Sequence, residues 1–222
     1  PCKGNIKKDF LEEVVKFIGV KYKNLDVIYH YSFYHQFHNN NNLSYTKFLN
    51  FVELNKNYNK SNEILLVSGS KKRDKFEVLN ILEKLKFDLC KNIKFGVAFN
   101  PYSYEESDYK IERNRLIDKL NSYFVKSIWL QFGSEINQLE REISFINSIL
   151  GNYQKLIDNE INIYGSLFIP SKQFLARFKF RPWRGVYLSH KYLNSLEESG
   201  KITQKIIEFY SNNCIIPLVE TE

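Results

Sequence analysis

GVAFNPYSYEESDYKIERNRLIDKLNSYFVKSIWLQF, residues 96–132, reads as a strand, a loop, a helix and a second strand, and it decides the fold class. Val97, Ala98 and Phe99 form an apolar run that stops at Asn100-Pro101. Proline has no donor for a ladder and pushes its predecessor out of helix, so a strand ends there. Ile111, Leu116, Ile117 and Leu120 then recur at the spacing of one helical face. Ser127 to Phe132 is a second apolar run, interrupted by Gln131. An amide inside such a run has a buried partner or a ligand to hold. Strand, helix and strand at this spacing make a βαβ unit, and α/β proteins keep their sites at the C-terminal ends of such strands.

Outward from this stretch the same rhythm continues. An amphipathic helix is expected over 6–18, with Phe10, Leu11, Val14, Val15 and Ile18 on its inner side. A strand over 26–33 and a helix over about 44–56 follow, with Ser44 as its N-cap. Glu63 to Gly69 reads as a buried strand, and a helix follows across 74–87. Further strands are expected near 93–99, 127–133 and 161–169, a doubtful one at Gly185 to Leu188, a helix over 195–211 and a closing strand from Cys214 to Val219. Strict alternation implies a parallel sheet. The expected architecture is a single α/β domain over 1–222, a (β/α)8 TIM-type barrel, either complete or lacking its first one or two strands. Neither GxGxxG nor GxxxxGK[ST] is present, which removes the usual nucleotide-binding doubly wound folds. The run Asn39–Asn42 reads as a solvated loop.

The chain has 222 residues, 43% of them hydrophobic, which suits a folding sequence with a sizeable core. No apolar run reaches membrane-spanning length, and a cytoplasmic protein is expected. Cys2, Cys90 and Cys214 are widely spaced and odd in number, which argues against a disulfide framework or a zinc site. Cys90 reads as a core residue. Methionine is absent, so the sequence reads as a piece of a longer product or a trimmed one. A net charge of +7 fits a lysine-rich background. The sharper alternatives are a phosphorylated cofactor, a polycarboxylate substrate or nucleic acid.

Three clusters carry chemistry. His30, His35 and His38 gather at the first strand's end, at a spacing that suits no common zinc pattern, and His30 would point toward a barrel mouth. Ser68-Gly69-Ser70, followed by Lys71, Lys72 and Arg73, would let a backbone approach a phosphate. Phe178-Lys179-Phe180-Arg181-Pro182-Trp183-Arg184 interleaves rings and cations as single-strand binders do. A loop over the barrel face is the preferred reading of that last stretch.

At these residues the chain resembles the methylenetetrahydrofolate reductase family, flavin-dependent (β/α)8 barrels of folate metabolism. Val27-Ile28-Tyr29-His30-Tyr31-Ser32 is similar to the family's His-Leu-Thr-type strand, and Leu65-Leu66-Val67-Ser68-Gly69-Ser70 to its strand ending in Gly-Asp. Val97-Ala98-Phe99-Asn100-Pro101 resembles Val-Ala-x-x-Pro, and Arg115-Leu116-Ile117-Asp118-Lys119 the Leu-x-x-Lys helix. Leu130-Gln131-Phe132 resembles Thr-Gln-Phe, and Tyr164-Gly165-Ser166-Leu167 stands at Pro-Gly-Ile. The order holds over about residues 25–219. The resemblance implies reduction of methylene-tetrahydrofolate to methyl-tetrahydrofolate with FAD and a reduced nicotinamide donor. It puts His30, Ser70, Asn100, Tyr104 and Lys119 on the cofactor side and Gln131 against the pterin of a folate-type small molecule.

The chain also departs from the pattern. Ser70 stands in place of an aspartate, Tyr104 in place of a histidine and Leu130 in place of a threonine. The Phe-Glu-Phe-x-Pro-Pro strand, whose glutamate donates a proton in the family, would lie upstream of Pro1. The alternatives are therefore a non-catalytic barrel relative that has lost flavin and acts through binding or a partner, and a basic nucleic-acid-binding protein.

Overall fold

A computed structural model describes residues 10–22, 24–38, 40–59, 62–68, 77–85, 92–157 and 160–220. Its elements in chain order are α1 (Phe10–Lys21), β1 (Tyr29–Ser32), α2 (Asn41–Tyr58), β2 (Glu63–Val67), α3 (Val78–Lys84), β3 (Lys94–Phe99) and α4 (Glu106–Leu120), followed by β4 (Val125–Leu130), α5 (Ile136–Ile157), β5 (Asn162–Phe168), α6 (Lys172–Phe180), α7 (His190–Asn194), α8 (Leu196–Asn212) and β6 (Ile216–Glu220). This is an α/β fold in which the strands read β1-β2-β3-β4-β5-β6 in hydrogen-bonding order. The ladders are parallel, with Tyr31 beside Leu66, Leu66 beside Val97, Leu130 beside Gly165 and Phe168 beside Glu220. Chain order without a reversal is the order of a (β/α) barrel and not of a doubly wound sheet. Six strands are two short of (β/α)8, so the complete barrel is not present among the described residues. The doubtful strand at 185–188 contributes a single parallel bridge, Gly133 to Tyr187.

The chain divides into two compact units. Pro1–Val97 with Asn121–Val125 form the first. Tyr31 is its aromatic hub, with the rings of Phe33, Phe48 and Phe51 centred 5.2, 5.0 and 5.0 Å away. Register puts Tyr29 and Tyr31 on the same sheet side as Ile64 and Leu66, and all four are buried. In α1 only Val15 is fully covered, while Phe10, expected inside, is 42% exposed. The expected cap Ser44 is corrected. Asn40 caps α2, its Oδ1 accepting from Asn42 N (2.8 Å) and Leu43 N (3.1 Å). Asparagine is the better cap, and Ser44 is instead buried in the first turn, donating to Asn40 O and accepting from His38 N. The asparagine run thus starts a helix rather than forming a loop.

Ala98–Leu120 and Lys126–Glu222 form the second unit. Here α4 buries Tyr109, Leu116 and Leu120, whereas Ile111 and Ile117 turn outward. Glu142 of α5 is wholly buried and accepts two bonds from Arg113, at 2.8 and 2.7 Å, with a third from Arg141 Nε at 3.0 Å. Ile128, Leu130, Ile163 and Leu167 lie on the side that also carries Gly165, whose missing Cβ makes room for the Tyr210 ring of α8. Each such side chain, taken from water, contributes about 1.5–3 kcal/mol. On the opposite side Trp129 stacks on Tyr164 at 4.3 Å and donates to Ser127 Oγ at 2.9 Å. Pro217 sits inside β6 beside Gly165. Without an N–H it suits a strand with one side unpaired, and β6 is last in the order.

Candidate functional site

The polar groups at the strand ends of the second unit are organised around Asn100, the residue that stops β3. Its Oδ1 accepts from Tyr102 N at 3.2 Å, closing a turn on its own backbone. Its Nδ2 donates to Gly185 O at 2.9 Å, and its backbone N–H donates to Glu112 Oε1 at 3.2 Å. Gly185 has φ +79, a left-handed conformation that glycine adopts at no steric cost. One asparagine therefore fastens the loop after β3 to the loop after α6.

Two residues further along than Pro101, Ser103 is bound on every side. Its N–H donates to Tyr109 Oη (3.1 Å) and Gln138 Oε1 (3.3 Å). Its carbonyl accepts from Tyr109 Oη and Gln138 Nε2, and its hydroxyl donates to Asp108. Between Asn100 and Ser103, Tyr102 is buried with its ring against the backbone of Gly133, where an added Cβ would collide with it. Burial holds the Tyr102 phenol well above its ordinary pKa, with the Tyr210 and Glu135 charges adding to the shift.

The end of β4 meets the same loop. Ser134 N donates to Tyr187 O, and Ser189 N donates to Ser134 Oγ at 2.7 Å. Beneath lies an aromatic layer in which Trp183 meets Phe168 and Phe174 at 5.4 and 5.6 Å. Two side chains stand out from this frame. Tyr104 is 77% exposed, its ring edge-on to Tyr187 at 4.8 Å. Gln131 N donates to Phe99 O, continuing the strand, so its side chain shares a side with Trp129 and opposes Leu130. Gln131 is half-buried, its Oε1 accepts from Phe132 N at 3.1 Å, and its Nε2 has no partner among the described residues.

The other expected site residues are distributed. Lys119 Nζ donates to Ala98 O at 2.8 Å. His30 belongs to the first unit, on the side of β1 opposite Tyr29 and Tyr31. Its surface is open, while the protein around the ring lowers its pKa by desolvation; the exposure keeps that effect modest. His35 is exposed and His38 half-buried, and no metal-holding group of three His, Cys, Asp or Glu occurs among the described residues. Ser70, Gly69, Lys71, Lys72, Arg73 and Cys90 lie outside the described residues. Phe178 and Phe180 fall in the last turn of α6, and the loop proper begins at Arg181.

Sequence reasoning missed Gly133, Tyr102, Ser134 and Ser189. The available clue was a glycine just past an apolar run, which marks close backbone approach. The frame offers a positioned amide donor and aromatic edges, and the hydroxyls of Ser103, Ser134 and Ser189 are already committed to the protein's own bonds. No protein-family model matches the chain, and no curated protein matches it.

Proposed function

We propose that the protein is a binding relative of the methylenetetrahydrofolate reductase barrels, an incomplete (β/α)8-type barrel that takes a folate-type small molecule at the ends of β3–β5 and works without flavin. Gln131 carries this reading. It is a half-buried amide beyond the end of β4, and its Nε2 donor has no partner among the described residues. A pterin edge alternates acceptors and donors, which an amide can match.

The flavin side has less support. Asn100 spends both ends of its amide on Tyr102 and Gly185, Lys119 donates to Ala98 O, and Tyr104 faces solvent. A reductase of this type needs a proton-donating acid, and its hydride chemistry belongs to the cofactor.

The test is titration of the purified chain with a folate analogue and, separately, with FAD. The analogue is expected to bind, Gln131→Leu to weaken it about tenfold (about 1.4 kcal/mol) with the fold intact, and FAD to leave the protein colourless. A yellow protein that oxidises a reduced nicotinamide would instead support the flavin-dependent oxidoreductase. Loss of folding in Gln131→Leu, with affinity unchanged in the surviving fraction, would return Gln131 to a structural role.

A further inference from the structure

Between Glu160 and Glu197 the chain contains no acidic residue, while it holds Lys172, Arg177, Lys179, Arg181, Arg184 and Lys191. The structure puts the densest part of this tract at one place, the end of α6 and the loop that follows. Arg181 N donates to Arg177 O, so these two cations lie one turn apart. Lys179, Phe180, Arg181 and Arg184 are all exposed, and Phe180 is 92% exposed, the most open large apolar side chain among the described residues. Trp183 is anchored against Phe168, Phe174 and Phe178 yet keeps 38% of its surface. Gly185, held by Asn100, and Tyr187, bridged to Gly133, then fix the far end of the loop, so its rings are pre-positioned.

We infer that this surface binds single-stranded nucleic acid, with Phe180 and Trp183 stacking on bases while Lys179 and Arg181 contact phosphates. Cations separated by planar rings match the alternation of phosphate and base along a single strand. A lipid surface fits less well. Of the large apolar residues of α6, Phe174, Leu175 and Phe178 are turned into the protein and Phe180 alone faces out, so the helix has no continuous apolar face to lay into a bilayer. An acidic peptide would use the charges and leave Phe180 without a role. The inference stands apart from the folate reading, since it uses neither Gln131 nor any residue of its donor set.

Fluorescence anisotropy of a labelled oligo-dT, titrated with the full chain at several salt concentrations, tests it. Binding should weaken steeply with salt. Changing Lys179 and Arg181 together to alanine should lower the log–log slope by about 1.4, about 0.7 for each phosphate no longer neutralised. Phe180→Ala should weaken binding about tenfold at every salt concentration and leave the slope unchanged. These side chains are exposed, so unchanged thermal midpoints should accompany all the variants. Flat salt dependence overturns the inference, as does a Phe180→Ala variant that binds like the parent. Equal affinity for poly-glutamate reduces the surface to a non-selective cation patch, and tighter binding to phosphatidylserine vesicles assigns it to membranes; either result also overturns it.

Discussion

Each of the two units has a polar region, and the two are built on opposite terms. In the second unit Asn100, Ser134 and Ser189 spend polar atoms on neighbouring loops and Ser103 on Asp108 and Tyr109 of α4 and Gln138 of α5, which makes a frame of bonded groups beside Gln131. In the first unit a groove of about 560 Å3 runs past Gly19, Tyr22, Val27, Tyr58, Asn59 and Asn62. Volume alone does not make it a site. It lies where β1 and β2 begin, the end that parallel α/β proteins use for stability. Polar groups here are also left unmade: Oδ1 of Asn62, which lines the groove, and Nδ2 of Asn55, in the same unit, are buried without partners among the described residues. Polar satisfaction, more than volume, separates a built site from a packing fault between α1, the end of α2 and the loops beside them.

If that contrast is right, a single methyl in the frame should do the most damage. Gly133→Ala puts a Cβ into the ring of Tyr102, which is 2% exposed and has nowhere to go. Overpacking of this kind costs about 3 kcal/mol, and a urea midpoint shift measures it. A loss under about 1 kcal/mol would mean that the frame yields and that its order is not the source of its geometry. Asn100→Ala comes next. It deletes the bonds to Gly185 and Tyr102 together, for an expected loss of about 2 kcal/mol. Limited trypsin digestion should then cut the loop after Arg184 before any other site. A variant as stable as the parent, with only ligand binding reduced, would make Asn100 a cofactor contact after all.

Tyrosine titration compares the units by pH. Burial raises the phenol pKa of Tyr31 in the first unit and of Tyr102 and Tyr210 in the second. A phenol whose folded pKa lies above the unfolded value, about 10, adds stability that is complete below that pH. The contribution is lost as pH rises through the folded pKa. Unfolding free energy should therefore hold level from neutrality to about pH 10 and fall beyond it. After a jump to high pH, the buried phenols of Tyr31, Tyr102 and Tyr210 should ionise only at the rate of unfolding. Immediate ionisation of every tyrosine would contradict the burial.

The strands were legible because their causes are local. The run Val97 to Phe99 is followed by Asn100-Pro101, and Ile64 to Val67 is an unbroken apolar run, so pattern and observed strand agree to within a residue or two. The faces of helices were less so. Ile111 and Ile117 fit the apolar period of α4 as well as Leu116 does, yet Tyr109 is buried in their place. Its hydroxyl is tied to Ser103, which Gln138 also holds from 35 positions away. That is a tertiary choice no period records. The site divides in the same way. Gln131 was conspicuous as an amide in an apolar run. Ser134 and Ser189, which bond each other across 55 positions, look like any loop serines. Asn40 was missed for a simpler reason: four consecutive asparagines read as loop, although one asparagine before an apolar period is a good cap.

The smallest expected effect is the most pointed comparison of the two regions. Asn55 is fully buried in α2, and its Oδ1 accepts from Asn59 Nδ2 at 2.9 Å while its own Nδ2 has no partner among the described residues. Asn59 Nδ2 also donates to Val27 O at 2.6 Å, so it keeps a bond whatever stands at position 55. Asn55→Leu therefore removes one made bond, about 1 kcal/mol, together with one stranded donor, which costs about 1–3 kcal/mol while it stays buried. Leucine is close in size and adds apolar burial. The net change should lie within about 1 kcal/mol of zero and lean toward stability, against the loss expected for Asn100→Ala, the same residue type in the frame. A loss above about 2 kcal/mol would show that Asn55 Nδ2 is satisfied in solution. The contrast between the two regions would then narrow to one of occupancy.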